Sequence, residues 1–190
     1  MYMTLDKVLK NLPPVYQEPL ITKIREFNQK LNRSIVVLDD DPTGCQTVYD
    51  IPVLTTWDEH TLKKEFQKNT PLFFILTNSR SLSEREAMNL TYRIAQNLLA
   101  ASEKSHQRFA VVSRSDSTLR GHYPAEVNAL EEVLFPGNSI HCLLPAFFQG
   151  GRLTVNGTHY VMENKHLIPA AETPFAKDSA FGFKNSKLME

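Results

Sequence analysis

The sequence predicts an α/β fold of three layers, with a mostly parallel sheet and helices on both faces. Two observations support this prediction. Short continuous apolar runs alternate with amphipathic segments of helical period, and each strong apolar run ends in a polar cluster. Continuous apolar runs are typical of strands covered on both faces, and strand–helix alternation favours right-handed βαβ units.

The predicted strands are short runs rich in β-branched, aromatic and leucine residues. Each has the length expected of a buried strand, about 4 to 8 residues. A shorter extended piece is expected at 51–54. The four main runs cover residues 34–38, 72–77, 109–112 and 141–144.

The segments between the runs are predicted helices. Residues 1–33 form a helical extension interrupted at Pro13-Pro14, and residues 34–190 form the main domain. A helix is expected from 58 to 69, N-capped near Thr56 or Asp58.

The clearest helix signal follows the second strand. Ser83 and Glu86 have the spacing of a capping box, in which each side chain bonds the other residue's backbone. The apolar stripe that follows is typical of a helix facing a core. Its members are Ala87, Leu90, Ile94, Leu98 and Ala101, and a later helix presents Val127, Leu130, Val133 and Leu134.

Composition excludes several classes of protein. Lys+Arg and Asp+Glu are both 21, so no broad basic field exists, which argues against nucleic acid as the main partner. No run approaches the length of about 18 apolar residues that a membrane span needs. The two cysteines, Cys45 and Cys142, form no CxxC pair. The N-terminus lacks the apolar core of a signal peptide, so a cytoplasmic location is expected.

The polar clusters after the strands are the candidate functional site. In an open parallel sheet, the carboxyl ends of the strands lie on one edge, where ligands bind. The four clusters are therefore expected to converge on one cleft. They contain Asp39, Asp40, Asp41, Asn78, Arg80, Arg114, Asp116, Ser117, Thr118, Arg120 and Arg152.

Asp40 and Asp41 are the candidate catalytic residues. Either carboxylate could accept a proton from a substrate hydroxyl, as the base does in phosphoryl transfer, and which one acts stays open. The alternative is a helix cap with solvated loop charges. Arg80 is interpreted as a planar fork for a carboxylate or phosphate, with a surface ion pair as the alternative.

The segment between the third strand and its helix combines hydroxyls, guanidiniums and a carboxylate. Such a set suits a polyhydroxylated anion. Arg114 and Arg120 offer positive charge for the anion, while Asp116, Ser117 and Thr118 offer partners for hydroxyls. The alternative is a polar loop that caps the helix.

Residues 150–152 have two interpretations. Arg152 is a candidate second contact for the anion, whereas Gly150-Gly151 favours a turn before a hairpin. His122 and His159 are interpreted as structural. No spacing typical of metal ligands is present, and neither glycine-rich nucleotide motif occurs in the sequence.

The order of these motifs resembles the four-carbon acid sugar kinase family (DUF1537 type). The resemblance covers residues 34–183. Arg114 departs from it, because the family often has lysine near that position. The motifs are Asp40-Asp41-Pro42-Thr43-Gly44, Asn78-Ser79-Arg80-Ser81-Leu82, Ser115-Asp116-Ser117-Thr118-Leu119-Arg120-Gly121, Pro145-Ala146-Phe147, Gly151-Arg152, Thr154, Gly157, His159-Tyr160-Val161 and Thr173-Pro174-Phe175-Ala176-Lys177-Asp178.

The resemblance implies the substrate-binding half of a two-domain enzyme. The N-terminal domain of such a kinase holds threonate, erythronate or a 3-oxo derivative. A C-terminal domain binds ATP with Mg²⁺, and the γ-phosphoryl group passes to the terminal hydroxyl. By this resemblance Asp40, Asp41, Arg80 and the 116–120 loop form the sugar-acid pocket.

The same resemblance implies what this chain lacks. The C-terminal nucleotide-binding domain is expected to be a missing partner, so the chain alone is expected to be inactive and to hold no cofactor or metal. Its other expected partner is the small-molecule sugar acid. The oligomeric state stays open, with a homodimer among the expectations.

Two other functions fit parts of the sequence. Asp39-x-Asp41-x-Thr43 matches the nucleophile motif of haloacid-dehalogenase-like Mg²⁺-dependent phosphatases, but the acidic pair which that family needs is absent after Leu144. The other alternative is a non-catalytic sugar-acid-binding module.

Overall fold

The computed structural model describes residues 3–190, apart from the side chain of Thr47. Several short 3₁₀ turns join the regular elements. The strands and helices, in chain order, are β1 (Met3–Thr4), α1 (Leu5–Lys10), α2 (Leu20–Leu31), β2 (Arg33–Asp39), β3 (Val53–Leu54), α3 (Glu59–Gln67), β4 (Leu72–Leu76), α4 (Glu84–Ser105), β5 (Arg108–Arg114), α5 (Ala125–Leu134), β6 (Arg152–Val155), β7 (Thr158–Glu163) and β8 (His166–Pro169).

These elements form two compact units. The parallel-sheet unit comprises residues 18–115 and 122–140. The antiparallel-sheet unit comprises the chain up to Gln17, the short segment Asp116–Gly121, and His141–Glu190. The domain boundary predicted between residues 33 and 34 stays a prediction.

The sheet of the parallel-sheet unit has the strand order β3-β4-β2-β5, and every neighbouring pair is parallel. This confirms the α/β class with a parallel sheet, and it confirms the first three main strands. The register places Asp39 opposite both Leu76 and Arg114. Three neighbouring strands therefore bring their carboxyl ends to one edge, as the sequence predicts.

The core of this unit lies between the sheet and helices α3, α4 and α5. Val36 and Leu38 of β2 and Phe73 and Ile75 of β4 belong to it. Phe66 packs edge-on against Phe73, with ring centroids 5.6 Å apart. Since full burial of such a side chain contributes about 1.5–3 kcal/mol, this cluster holds the strand ends in place.

The helix caps in this unit agree with the sequence prediction. Asp58 caps α3 by accepting from the Thr61 backbone. Ser83 and Glu86 form the complete capping box of α4. The predicted stripe on α4 is buried, so its inward orientation is also confirmed.

Helix α2 confirms the helical period of the N-terminal region but not its packing. Its apolar residues are exposed, including Ile21, Ile24 and Phe27. Periodicity predicts that a helix has an apolar face, but it does not predict what covers that face.

The antiparallel-sheet unit contains a sheet in the order β1-β8-β7-β6. Strands β6 and β7 form a hairpin whose turn residues, Asn156 and Gly157, have φ angles of 49° and 75°. Two positive φ angles are typical of the type I′ turn, which Asn-Gly favours. The predicted turn and hairpin after residue 150 are therefore confirmed.

The fourth main strand was predicted wrongly. Residues 141–144 form no strand, and the Leu144 side chain is 84% exposed. A strand needs a neighbouring backbone edge that satisfies its N–H and C=O groups, and a short apolar run cannot guarantee one. Arg152 begins β6 of the antiparallel sheet.

Within residues 3–190, no helix combines the length and apolar character needed to cross a membrane.

Candidate functional site

The carboxyl edge of the parallel sheet carries a cluster of charged side chains, which we call the strand-end cluster. Asp39 is the last residue of β2, and Asp40 and Asp41 follow it. Arg80 lies just after β4, while Arg114 is the last residue of β5. The cluster consists of Asp39, Asp40, Asp41, Arg80, Arg114 and Ser115.

Asp40 is held by Arg80 in a two-pronged interaction. The Arg80 Nε donates to Asp40 Oδ2 at 3.1 Å, and Nη2 donates to Oδ1 at 2.6 Å. The Ser115 hydroxyl also donates to Asp40 Oδ2 at 2.7 Å. Asp40 is only 3% exposed, so it has lost most of its contact with water. These three hydrogen bonds replace the hydration that burial removes.

Asp41 shares the same arginine. The Arg80 Nη1 donates to Asp41 Oδ2 at 3.2 Å, and the Thr43 backbone N–H donates to Asp41 Oδ1 at 2.7 Å. The Thr43 hydroxyl donates to that oxygen as well, and this bond is the main reason the pKa of Asp41 is lowered. Asp41 is therefore stabilised as a carboxylate that can accept further hydrogen bonds.

Asp39 differs from its two neighbours. Its Oδ1 accepts from Arg114 Nη1 at 3.1 Å, while its buried Oδ2 has no hydrogen-bond partner among the described residues. Burial raises the pKa of Asp39, and Arg114 opposes that increase. A Cβ at Gly44 would overlap the Asp39 carboxylate and the Arg114 guanidinium, so only glycine lets the backbone pass here.

A second row of polar side chains lies behind the cluster. The Thr77 hydroxyl donates to the Asp39 carbonyl at 3.0 Å. The His122 Nε2 lies 3.2 Å from the Ser79 carbonyl and 3.0 Å from the Leu82 carbonyl, so this nitrogen carries the proton. Burial raises the pKa of Glu126 on α5, and the charge of Asp40 adds to the increase.

The antiparallel-sheet unit carries a different cluster, which we call the arginine–aromatic cluster. It consists of Asp116, Thr118, Arg120, Phe147, Arg152, Phe175 and Asp178. The Arg120 Nε donates to Asp116 Oδ2 at 2.8 Å, and Nη1 donates to Asp178 Oδ2 at 3.4 Å. The bond to Asp116 is the main cause of the raised pKa of Arg120.

Two guanidiniums lie over one aromatic ring in this cluster. The Cζ atoms of Arg120 and Arg152 lie 5.2 Å and 5.4 Å from the centroid of Phe175. Arg152 also lies 5.9 Å from the centroid of Phe147. These distances are within the range of about 6 Å for cation–π attraction.

His159 ties the hairpin to the 116–121 loop within this unit. It is fully buried, with Nε2 at 2.7 Å from the Ser117 carbonyl and Nδ1 at 3.0 Å from the Thr154 hydroxyl. A carbonyl only accepts, so Nε2 carries the proton. Burial lowers the pKa of His159, which favours the neutral ring, and the Thr154 hydroxyl beside Nδ1 donates to the Pro145 carbonyl at 2.9 Å.

The structure distributes the predicted site residues over these two clusters. It brings Asp40, Asp41, Arg80 and Arg114 together at the sheet edge, as expected. The convergence of Arg152 on the same cleft stays a prediction. The antiparallel-sheet unit holds Asp116, Ser117, Thr118, Arg120 and Arg152.

Sequence reasoning missed several participants as site residues. Ser115 and Thr43 bond the acidic run, and Phe175 and Asp178 contact Arg120. All four lie inside motifs that carry the family resemblance. The sequence signal was therefore present, although the spacing did not indicate a role for each residue.

We assign no described residue of this chain to the binding of a metal ion or a nucleotide. Among the residues that the structure describes, no group of three or more His, Cys, Asp or Glu side chains is arranged to hold a metal ion. The acidic run instead bonds two guanidiniums and two hydroxyls.

Comparison with known proteins identifies the relatives of this chain. Residues 35–190 match the family of sugar-binding N-terminal domains. The chain is 28% identical over 151 residues to a D-erythronate kinase of Heliobacterium modesticaldum, an alignment that covers 76% of this chain and 32% of that protein. The chain thus spans about a third of the length of this relative.

Solved structures share the fold. A DUF1537 protein of Bordetella bronchiseptica, crystallised with citrate as a domain-swapped dimer, matches with a TM-score of 0.63 and 23% identity. The match covers 82% of this chain and 39% of that one. A Salmonella typhimurium LT2 protein matches with a TM-score of 0.56 and 20% identity, over 82% of this chain and 37% of its own.

Proposed function

Because the chain belongs to the family of sugar-binding N-terminal domains, we propose that it is the substrate-binding part of an ATP-dependent kinase acting on a four-carbon sugar acid. The substrate would be erythronate, threonate or 3-oxo-tetronate, phosphorylated at its terminal hydroxyl. The similarity to D-erythronate kinase supports this choice. ATP and Mg²⁺ would be bound by a nucleotide-binding domain outside these 190 residues.

The observation that carries the proposal is the strand-end cluster. Two carboxylates, Asp40 and Asp41, are fixed side by side by the single guanidinium of Arg80. Their remaining lone pairs are acceptors at the edge where parallel sheets bind ligands. A polyol offers hydroxyl donors that match such a pair of acceptors.

The proposed roles follow from the contacts of each group. Asp41 is stabilised as an anion, which suits it to accept hydrogen bonds from substrate hydroxyls. Asp40, fixed by Arg80 and Ser115, is the proposed base beside the hydroxyl that is phosphorylated. Phosphoryl transfer depends mainly on positioning and electrostatics, so a weak base held in place is sufficient.

The other substrate-binding assignments are part of the same proposal. Arg80 and Arg114 are proposed to set the charge at the sheet edge. The proposed substrate-binding residues of the antiparallel-sheet unit are Asp116, Ser117, Thr118, Arg120 and Arg152. Each assignment is testable by substitution of one residue at a time.

Calorimetry tests the proposal directly. The 190-residue chain should bind erythronate or threonate without ATP. Each of two variants, Asp40→Asn and Asp41→Asn, should bind these acids more weakly than the wild-type chain does. An exposed helix variant, Glu84→Gln, serves as the control because its side chain lies outside both clusters. Absence of heat with all three four-carbon acids, from folded protein, would overturn the proposal.

The phosphatase alternative receives less support. Its nucleophile would be Asp39, which is 1% exposed, bonded to Arg114 and covered by the Gly44 backbone. Burial raises the pKa of Asp39, which disfavours the anion that must attack phosphorus. Mg²⁺-dependent hydrolysis of a phosphomonoester, lost in Asp39→Asn, would reverse this ranking.

A homodimer belongs to the proposal as well. The related Bordetella bronchiseptica protein is a domain-swapped dimer, and it shares this fold. Light scattering on the purified chain would give the mass directly, and a strict monomer at all concentrations would remove this part of the proposal.

A further inference from the structure

The turn that carries Arg80 is held in place by residues of α4 and of the start of α5. Arg80 lies in a single 3₁₀ turn, Ser79–Ser81, and Asn78 before it has a φ of 51°. A positive φ is uncommon outside glycine, although asparagine tolerates it better than most residues. An element of three residues is too short to fix its own position. The placement of the Arg80 guanidinium therefore depends on what the turn is bonded to.

His122 bonds this turn through the backbone. Its Nε2 donates towards the carbonyls of Ser79 and Leu82, which lie 3.2 Å and 3.0 Å away. These two carbonyls stand on either side of Arg80 in the chain, so a single ring nitrogen spans the turn. His122 is only 6% exposed, and water therefore competes little for that N–H group.

Glu126 bonds the same turn through a side chain. Its backbone N–H donates to the His122 carbonyl at 3.1 Å, which connects the two residues at the start of α5. The Ser79 hydroxyl bonds the Glu126 carboxyl, and the Thr91 hydroxyl of α4 donates to Oε1 at 3.3 Å. Ser79 and Thr91 are both buried. The carboxyl of Glu126 therefore joins the turn to both helices.

A carboxyl in this place is unfavourable for folding by itself. Glu126 is 8% exposed, and a buried carboxylate loses hydration that a few hydrogen bonds only partly replace. The charge of Asp40 adds to the cost, since it helps to raise the pKa of Glu126. Buried polar groups that oppose stability are expected where they place a functional group, and the functional group nearest along this turn is Arg80.

We infer that Glu126 and His122 are positioning residues, whose role is to place the guanidinium of Arg80. The Arg80 backbone N–H donates to the Asp40 carbonyl at 3.2 Å, so a shift of the turn moves the whole fork relative to the two carboxylates that it bridges. The contacts that place Arg80 all lie within the parallel-sheet unit. The consequence for ligand binding rests on the proposed function, which supplies the identity of the ligand.

The first test observes Arg80 in the 190-residue chain without any ligand. The ¹H–¹⁵N signal of its Nε, assigned by its loss in Arg80→Lys, reports the hydrogen bond to Asp40. Glu126→Ala and His122→Ala should each shift this signal towards that of a free arginine. Glu126→Gln keeps groups that can bond both hydroxyls, so its signal should stay close to the wild-type position. An unmoved signal in both alanine variants would overturn the inference.

The matched control is Glu65→Ala on α3. Glu65 is another buried carboxyl of the same unit, 2% exposed, and it accepts from the Thr70 hydroxyl at 2.5 Å and from Lys68 Nζ at 2.6 Å. Its removal disturbs the unit outside the strand-end cluster, so the Arg80 signal should stay in place. An equal shift in Glu65→Ala would show that Arg80 responds to any loosening of the unit, which would overturn the inference.

The second test measures the consequence for binding by calorimetry with erythronate. Glu126→Ala should weaken binding about tenfold or more, as loss of an orienting partner does elsewhere, and Glu126→Gln should recover most of the loss. Circular dichroism verifies that each variant is folded. If Glu126→Ala does not fold, Ser79→Ala, which removes only the hydroxyl on the turn, gives the same comparison.

The two tests separate the inference from the proposed function. An Arg80 signal that responds as expected, in a wild-type chain that binds no four-carbon acid, would leave the positioning role standing and overturn the proposed function. Full erythronate affinity in folded Glu126→Ala, or in Ser79→Ala where that variant replaces it, would overturn the role of Glu126 in binding.

Discussion

The strand-end cluster and the arginine–aromatic cluster both combine carboxylates with guanidiniums, but they differ in the proportion and pairing of these charges. The first packs three carboxylates against two guanidiniums at the end of a buried parallel sheet. The second packs two guanidiniums against two carboxylates and shares an aromatic ring between the two cations. The first therefore has an excess of acceptors, and the second leaves one guanidinium uncompensated.

The strand-end cluster therefore offers mainly hydrogen-bond acceptors, whereas the arginine–aromatic cluster offers cationic donors and an aromatic surface.

The largest expected effect comes from breaking the strand-end cluster at its shared cation. Arg80→Ala leaves Asp40 buried with no opposing charge, and removal of one partner of a buried ion pair costs about 3–5 kcal/mol. Urea denaturation should show this loss in the free energy of unfolding. Arg85→Ala, at an exposed position, should cost less than about 0.5 kcal/mol. Equal, small losses in both variants would contradict the buried-pair account.

A smaller loss is expected from His159→Leu in the antiparallel-sheet unit. This change removes the donor to the Ser117 carbonyl and the contact with the Thr154 hydroxyl, which should cost about 1–3 kcal/mol. Thermal denaturation measures the loss. The control is His166→Leu on the exposed side of β8, where the stability should hardly change. If both variants unfold alike, His159 does not tie the loop to the hairpin.

The shared ring of the arginine–aromatic cluster should matter less. Phe175→Leu keeps an apolar side chain but removes the cation–π attraction to Arg120 and Arg152, worth about 1 kcal/mol at partly exposed sites. An unchanged stability would show that the ring only fills space.

The smallest expected effect is a difference in the pH dependence of stability between two neighbouring carboxyls. The raised pKa of Asp39 adds stability at low pH that is lost as the pH rises through that pKa. The lowered pKa of Asp41 adds stability at higher pH that is lost as the pH falls through it.

Two variants separate these contributions. Between about pH 3 and pH 7, the free energy of unfolding of Asp39→Asn should rise relative to wild type, while that of Asp41→Asn should fall. Denaturant titrations at several pH values measure both slopes. Slopes of the same sign would contradict the environments assigned to these two residues.

Much of the fold follows from local patterns in the sequence. Three of the predicted runs became β2, β4 and β5, and the capping box of Ser83 and Glu86 begins α4. These features depend on side-chain period and on contacts within a few residues, which the sequence contains. The convergence of Asp40, Arg80 and Arg114 followed as well, because parallel strands place their carboxyl ends on one edge.

Only the tertiary structure decided the rest. Residues 141–144 have the composition of a strand but form none, so apolar content misled the prediction there. The ion-pair partners of the arginines could not be predicted from local sequence either. Asp178, for example, lies 58 positions from Arg120. The sequence by itself determined the elements and the charged groups that each strand delivers. Which of those groups form ion pairs with one another depends on long-range contacts that only the folded chain makes.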